Sequence, residues 1–287
     1  MAKYLSIKRK IRSVKSTRQI TKAMELVAGS RLRRAQQRLE ATRPYQSKLH
    51  EIIDSLAGFQ GEIFHPLLEG REVKTRGLIV LASDRGLCGA YNTNLFRATQ
   101  KWIKSEKKPV KVITVGRRAR DYFRRQNANI MESFEQPGQE LELYEIRPIA
   151  NRILDSYYAG EIDSMHLVYA KFRSALVNIP TVTQLVPIKP PESGAGSAGS
   201  SGDVIFEPEP KVMLSHLLPR VVMMELVGYL AESFTSEQGA RMVAMQNATK
   251  NADEMIDWLT LQFNRARQTS ITQEILEVVS GANALAG

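Results

Sequence analysis

Residues Gly239–Gly281 read GARMVAMQNATKNADEMIDWLTLQFNRARQTSITQEILEVVSG, and neither glycine nor proline interrupts the stretch between its two end residues. Some forty residues without a breaker predict one continuous helix. Its apolar positions are Met242, Met245, Ala252, Met255/Ile256, Leu259, Phe263 and Ala266, continuing one residue out of step as Ile271, Ile275 and Val278/Val279. Spacings of three and four sustained over this length predict the seam of a coiled coil. No proline follows Pro219, and 209–287 is read as the C-terminal helical piece. Bundle helices seldom need such length, and a narrow stripe needs a partner helix.

The partner is at the other end of the chain. Residues 1–57 are rich in Lys, Arg, Gln, Ala and Leu, with Gly29 the only glycine before a pause at Pro44. Apolar residues recur as Ile7, Ile11, Val14, then Ile20, Met24, Val27, then Leu32, Ala35, Leu39, a stripe that drifts. Such a helix would reach on the order of 80 Å at about 1.5 Å per residue. The two ends are expected to pair as an antiparallel coiled coil.

Between them, over 75–190, the period changes. Short β-branched runs at Gly77–Ala82, Val110–Val115, Met165–Ala170 and Thr181–Ile188 alternate with helical stretches at Asn92–Glu106, Arg117–Gln126 and Glu140–Tyr158. That alternation predicts a small α/β domain with an open, mostly parallel sheet. The fold class is therefore α/β plus a long antiparallel coiled coil. Residues 191–208 form a lead-in to the last helix, and within them Ser193–Gly202 (SGAGSAGSSG) contains only Gly, Ser and Ala, the composition of a mobile loop.

The 287 residues are 43% apolar and 24% charged, which describes an ordinary folded chain. No uncharged apolar run approaches eighteen residues and no secretory signal pattern is present, so a cytosolic character is expected. One cysteine, Cys88, and four scattered histidines offer neither an internal disulfide nor metal-ligand spacing. The net charge of +10 is unevenly spread: residues 1–50 hold fourteen Lys/Arg against Glu25 and Glu40, a local +12, and the remainder carries −2. The chain has one basic arm. By charge alone the arm reads as a transit peptide, as a phosphate-tracking arm, or as a helix face directed at an acidic protein. No aromatic residue is interleaved between Tyr4 and Tyr45 for base stacking.

Asp84–Asn92 (DRGLCGAYN) follows a strand and opens a helix, where a phosphate loop would sit. It has neither the G-x-G-x-x-G nor the G-x-x-x-x-G-K-[ST] pattern, and Arg85 and Leu87 fill positions that such loops keep bare. Cys88 has no histidine nearby in sequence to activate it. No catalytic, cofactor-binding or metal-binding residue is assigned, and no cofactor is expected.

Five strings carry a family resemblance: Ile20–Gln36 (ITKAMELVAGSRLRRAQ), Ser83–Asn94 (SDRGLCGAYNTN), Phe206–Pro210 (FEPEP), Ser236–Asn251 (SEQGARMVAMQNATKN) and Asn264–Ala284 (NRARQTSITQEILEVVSGANA). In order and in content they closely resemble the gamma subunit of rotary F-type ATP synthase. The resemblance implies a non-catalytic shaft whose terminal helices thread a hexamer of alternating alpha and beta subunits. It also implies an α/β foot seated on a membrane ring of c subunits with epsilon, in a complex that also contains delta. Ion flow turns ring and shaft, and the shaft drives each beta subunit in turn through its catalytic conformations. Contact with the membrane is only through the complex.

Residue by residue, the resemblance places Arg267, Gln268, Thr272 and Glu277 among positions that grip beta loops, and Met24 and Arg241 among positions tied to coupling. It sets Arg31, Arg33 and Arg34 against an acidic beta loop with Arg85 and Cys88 close by, and puts Phe206 and Glu207 near the c ring and epsilon. The apolar stretch Ile271–Leu285 suits the tip of an axle. Photosynthetic relatives insert a cysteine pair where this chain has only Ser193–Gly202, so thiol switching of that kind is not expected. The match begins by Ile7, leaving no room for a transit peptide, and implies a bacterial-type protein at the cytoplasmic face of the plasma membrane. Two other classes stay open on the residues alone. A nucleic-acid-binding protein would show steep salt dependence, and an α/β enzyme would bind ligand at Asp84–Asn92.

Overall fold

Two very long helices, three shorter ones and a five-stranded sheet make up the regular structure of the described residues. The computed structural model describes residues 2–57, 65–188 and 210–286; the Ser193–Gly202 run, the rest of 191–208, and with them Phe206 and Glu207, lie outside the described residues. The elements in chain order are α1 (Ala2–Ala57), β1 (Arg76–Leu81), α2 (Tyr91–Ser105), β2 (Val110–Val115), α3 (Arg117–Arg125), β3 (Ile130–Phe134), α4 (Leu143–Tyr158), β4 (Ser164–Phe172), β5 (Asn178–Val186) and α5 (Pro210–Ala286). The pause expected at Pro44 does not occur. Pro44 is exposed, and Glu40, whose carbonyl it deprives of a partner, is exposed as well, so the interrupted hydrogen bond falls on the solvent side of the helix. Pro210 sits in the first turn of α5, where a missing N–H costs nothing.

The chain divides into two compact units, Met1–Ala28 with Met242–Gly287, and Gly29–Arg241. In the first unit α1 and α5 run antiparallel. Tyr4 meets Phe263 with ring centroids 6.1 Å apart, Arg18 pairs with Asp253, and Thr249 Oγ1 donates to Thr21 Oγ1 at 2.9 Å. The seam on α5 passes through Met245, Thr249, Ala252, Ile256, Leu259, Phe263 and Ala266, all buried or half-buried, a strict alternation of four and three. On α1 the seam does not drift. Thr21 and Ala28 are buried, at 9% and 1% exposure, where Ile20 and Val27 were expected, and those two are 57% and 53% exposed. A threonine whose hydroxyl is bonded across the seam, and an alanine that allows close approach, fill core positions that an apolarity pattern does not register.

In the second unit the sheet order is β3-β2-β1-β4-β5, parallel throughout except for the antiparallel β4–β5 pair. Alternate residues face opposite ways. Ile79, Leu81, Ile113, Val115, Leu167 and Tyr169 join one core with α4, with Leu39 and Leu49 of α1, and with Leu218, Val222, Leu226 and Leu230 of α5. Leu78, Val80, Val112 and Val168 join the other with Tyr91, Leu95 and Phe96 of α2 and Ala119 and Phe123 of α3. Part of α5 is long and apolar enough, by length and composition, to cross a membrane. Its buried residues between Leu214 and Leu230 are accounted for by packing on the sheet. The sequence reading missed β3: its residues, IMESF, are largely half-exposed at a sheet edge and lack the β-branched run of an interior strand.

Asp163 ties the start of β1 to the start of β4. It accepts the N–H groups of Lys74 and Thr75 at 2.8 Å each and pairs with Arg71 at 2.7 Å, while Arg71 also lies 4.6 Å over the Tyr157 ring. Burial pushes this carboxyl up, but the two backbone hydrogen bonds and the Arg71 charge outweigh it, and the group titrates below its ordinary value of 3.8. The stability it contributes is present above that value and is lost as pH falls through the depressed one. Asp163→Asn is expected to cost about 2 kcal/mol in urea melts at neutral pH and to flatten the acid limb of the stability profile.

Candidate functional site

In an open α/β sheet, ligands bind outside the carboxyl ends of the strands where the strand order reverses, here between β1 and β4. That crevice is filled by α5. Ser236 Oγ donates to the carbonyl of Ala170 at 2.8 Å, and the Tyr91 hydroxyl meets Ser233 Oγ at 2.8 Å. Tyr91 is fully buried, and burial drives its phenol well above its ordinary range, so it serves as a neutral structural group.

The Ser83–Asn92 loop is held from inside by the same helix. Glu237, 4% exposed, pairs with Arg241 at 2.5 Å and accepts Gln136 Nε2 at 2.7 Å. Arg241 Nη2 then donates to the carbonyl of Gly86 at 3.3 Å. Asp84 accepts the Arg117 N–H at 2.9 Å, and Asn92 Nδ2 donates to Ser83 Oγ at 2.7 Å. Leu87 and Gly89 both adopt left-handed backbone with φ of 65° and 58°. Gly116 is obligatory at the base: with φ of 97°, a Cβ there would come 2.1 Å from the Ala82 carbonyl oxygen. Cys88 is buried, with Asn92 Nδ2 3.3 Å from its sulfur. Burial pushes its thiol up, with the Glu237 carboxylate adding to the effect, so it stays a protonated packing group.

The loop therefore presents Arg85 and Leu87 outward and keeps Cys88 and Arg241 inward. Arg31, Arg33 and Arg34 are exposed on α1, and none has an ion pair among the described residues, whereas Arg38 of the same arm pairs with Glu140 at 2.5 Å. Met24 is half-buried. Arg267, Gln268, Thr272 and Glu277 are all exposed on α5, where Gln273 Nε2 reaches Glu277 Oε1 at 3.2 Å.

The first unit exposes an unusual amount of apolar surface. Ile20, Leu26 and Val27 of α1 and Met255, Trp258 and Leu261 of α5 are each more than half exposed. Beyond the α1 pairing, every residue from Ile271 to Asn283 is exposed, including Ile275, Leu276, Val278 and Val279. Contiguous apolar surface of this kind marks a face that other proteins cover. The apolar period places Ile20, Val27 and either Met255 or Ile256 in the seam; the register of the pair takes Ile256 and turns Ile20, Val27 and Met255 outward.

A crevice closed by the chain's own helix, and a helix pair with apolar residues on its outside, define an element built to be surrounded by other proteins. The family model described as ATP synthase matches residues 3–285. The ATP synthase gamma chain of Moorella thermoacetica is 45% identical over 285 residues, covering 99% of this chain and all of the relative, and that of Legionella pneumophila strain Corby is 40% identical with the same coverage. The rotor of Euglena gracilis mitochondrial ATP synthase superposes with a TM-score of 0.68 at 18% identity, covering 94% of this chain and 99% of that one. A second Euglena structure, of the OSCP, F1 and c-ring assembly, gives 0.71 over 99% of this chain and 95% of that one, again at 18% identity. The chain belongs to the ATP synthase gamma chain family, the non-catalytic central-stalk subunit of that enzyme.

Proposed function

We propose that this chain couples ion-driven rotation of a c ring to the conformational cycle of catalytic beta subunits, at the cytoplasmic face of a bacterial plasma membrane. The observation that carries the reading is the bare apolar end of α5, Ile271–Asn283. A ring of alpha and beta subunits is the occupant that leaves an axle tip covered yet free to turn. Three chemically identical beta sites are driven apart only by a partner that touches each differently, because a ligand shifts an equilibrium by its differential affinity alone. A helix pair that ends near Ala266 and continues as one helix supplies that asymmetry.

Within this reading Arg31, Arg33, Arg34 and Arg85 meet passing acidic beta loops. Such exposed contacts are worth about 0.2–1 kcal/mol each, weak enough that no step becomes a trap. Arg267, Gln268, Thr272 and Glu277 supply polar grip near the tip, and Met24 lies at the coupling layer. Cys88 and Arg241 support the beta contact from beneath by fixing the loop that presents Arg85. Phe206 and Glu207 are assigned to the c ring and epsilon, and delta completes the assembly without touching this assignment. Affinity purification of the tagged chain in mild detergent tests the proposal: a hexamer of alpha and beta with one copy of this chain is expected. Recovery of nucleic acid, or of the chain by itself, would refute it.

A further inference from the structure

The charge outside the N-terminal arm is nearly balanced as a sum, but not in space. Residues 97–125 hold eleven Lys/Arg against only Glu106 and Asp121. Both carboxylates are engaged within the fold, Glu106 with Arg76 at 3.0 Å and Asp121 with Arg120 at 3.2 Å. The strand β2 passes between α2 and α3 in sequence, and the two helices lie on the same side of the sheet.

A groove runs between them, bordered by the Gly86–Gly89 turn, with Arg97 on the α2 wall and Arg118 and Arg125 on the α3 wall. All three arginines are exposed, and none has a carboxylate partner among the described residues. The floor is apolar: Phe96 and Tyr122 stack at 4.3 Å and 15°, and Leu87, 62% exposed, stands at the rim. No carboxylate lines it.

We propose that this groove docks an acidic segment of another polypeptide in the assembly, one that places an apolar side chain on Leu87 and Tyr122 and carboxylates against Arg97, Arg118 and Arg125. Charge complementarity selects the acidic occupant. The Phe96 and Tyr122 rings spend faces on each other, which leaves a poor platform for stacked bases. A floor recessed between two helices is reached by a side chain and not by the plane of a lipid surface. The site is distinct in sequence from the basic arm and adds three cations to which the gamma-chain reading gives no role.

The proposal rests on the gamma-chain reading only for the assembly in which it is tested. The experiment is photo-crosslinking in the complete purified synthase with benzoylphenylalanine at Gln100, which lines the groove, followed by sequencing of the adduct. The expected adduct is one segment of a neighbouring subunit with at least two carboxylates within about a helical turn, its yield falling about fivefold in Arg118→Glu/Arg125→Glu. If that pair impairs assembly, Arg118→Gln/Arg125→Gln is read in the same way, with a smaller drop expected. An adduct to lipid or nucleic acid, to a segment without carboxylates, to this chain itself, or none at all overturns the proposal, as does a yield indifferent to both pairs. Co-purification of alpha and beta with each variant reports on the rotor reading separately.

Discussion

Glu237→Ala is expected to lower the melting temperature of the chain by about 10 °C and to release the Ser83–Asn92 loop. The carboxylate is 4% exposed and holds both Arg241, at 2.5 Å, and Gln136, at 2.7 Å. Removing it leaves a largely buried guanidinium without its counter-charge, a class of change that costs about 3–5 kcal/mol. A domain of this size loses roughly 2–4 °C per kcal/mol. Arg241 then has no reason to stay beneath the loop, and the carbonyl of Gly86 loses its donor. Hydrogen exchange should rise in residues 83–92 and stay low in the core of β1. Glu237→Gln keeps one acceptor and one amide, and should lose less than half as much stability. Equal losses in the two variants would mean that the charge is not what holds the loop.

Met24→Lys is expected to separate ATP hydrolysis from ion pumping. Met24 is half-buried on α1, so a cation placed there is screened less than the exposed Arg31, Arg33 and Arg34. Against an acidic beta loop such a contact is worth about 2 kcal/mol at intermediate dielectric, several times an exposed pair. It forms at one rotor position and not at the others, which slows departure from that position roughly thirtyfold. In membrane vesicles hydrolysis should persist while ATP-driven pumping falls severalfold. Higher salt should restore part of it, and Met24→Leu should behave as the parent. Unchanged pumping in the lysine variant would count against Met24 as a coupling position.

The coiled coil was legible because its seam obeys a period that survives the loss of two apolar letters. Met245, Ala252, Leu259, Phe263 and Ala266 were readable as written. Thr21 and Ala28 were not, since a bonded hydroxyl and a methyl group look polar or neutral in one dimension and become core only once a partner helix supplies the other half. The same register error hid the outward apolar face at Ile20 and Val27. In the α/β domain, strands with β-branched runs declared themselves, and the edge strand β3 did not. Arg241 and Cys88 were found by resemblance, but the inward position of Arg241 depends on Glu237, one turn before it on α5, which is itself held by Gln136 from a distant part of the chain. The cations of α2 and α3 were lost to averaging: a near-neutral total over residues 51–287 conceals eleven basic residues packed into 97–125.

The positive charge that first suggested nucleic acid thus divides into an N-terminal arm, partly neutralised by its own neighbours such as Glu140 and Asp253, and a second face on the foot. Neither carries the aromatic platform that bases require. Both suit acidic protein surfaces.

Rotation itself is the direct test. Cys88 is buried, so a cysteine placed at exposed Lys107 offers a selective point for attaching a bead to the foot. With the alpha–beta hexamer fixed to glass and ATP supplied, the bead should turn in one direction and pause three times per revolution, once for each beta subunit. A bead that stays still while the immobilised hexamer hydrolyses ATP would contradict the assignment of this chain as the rotor.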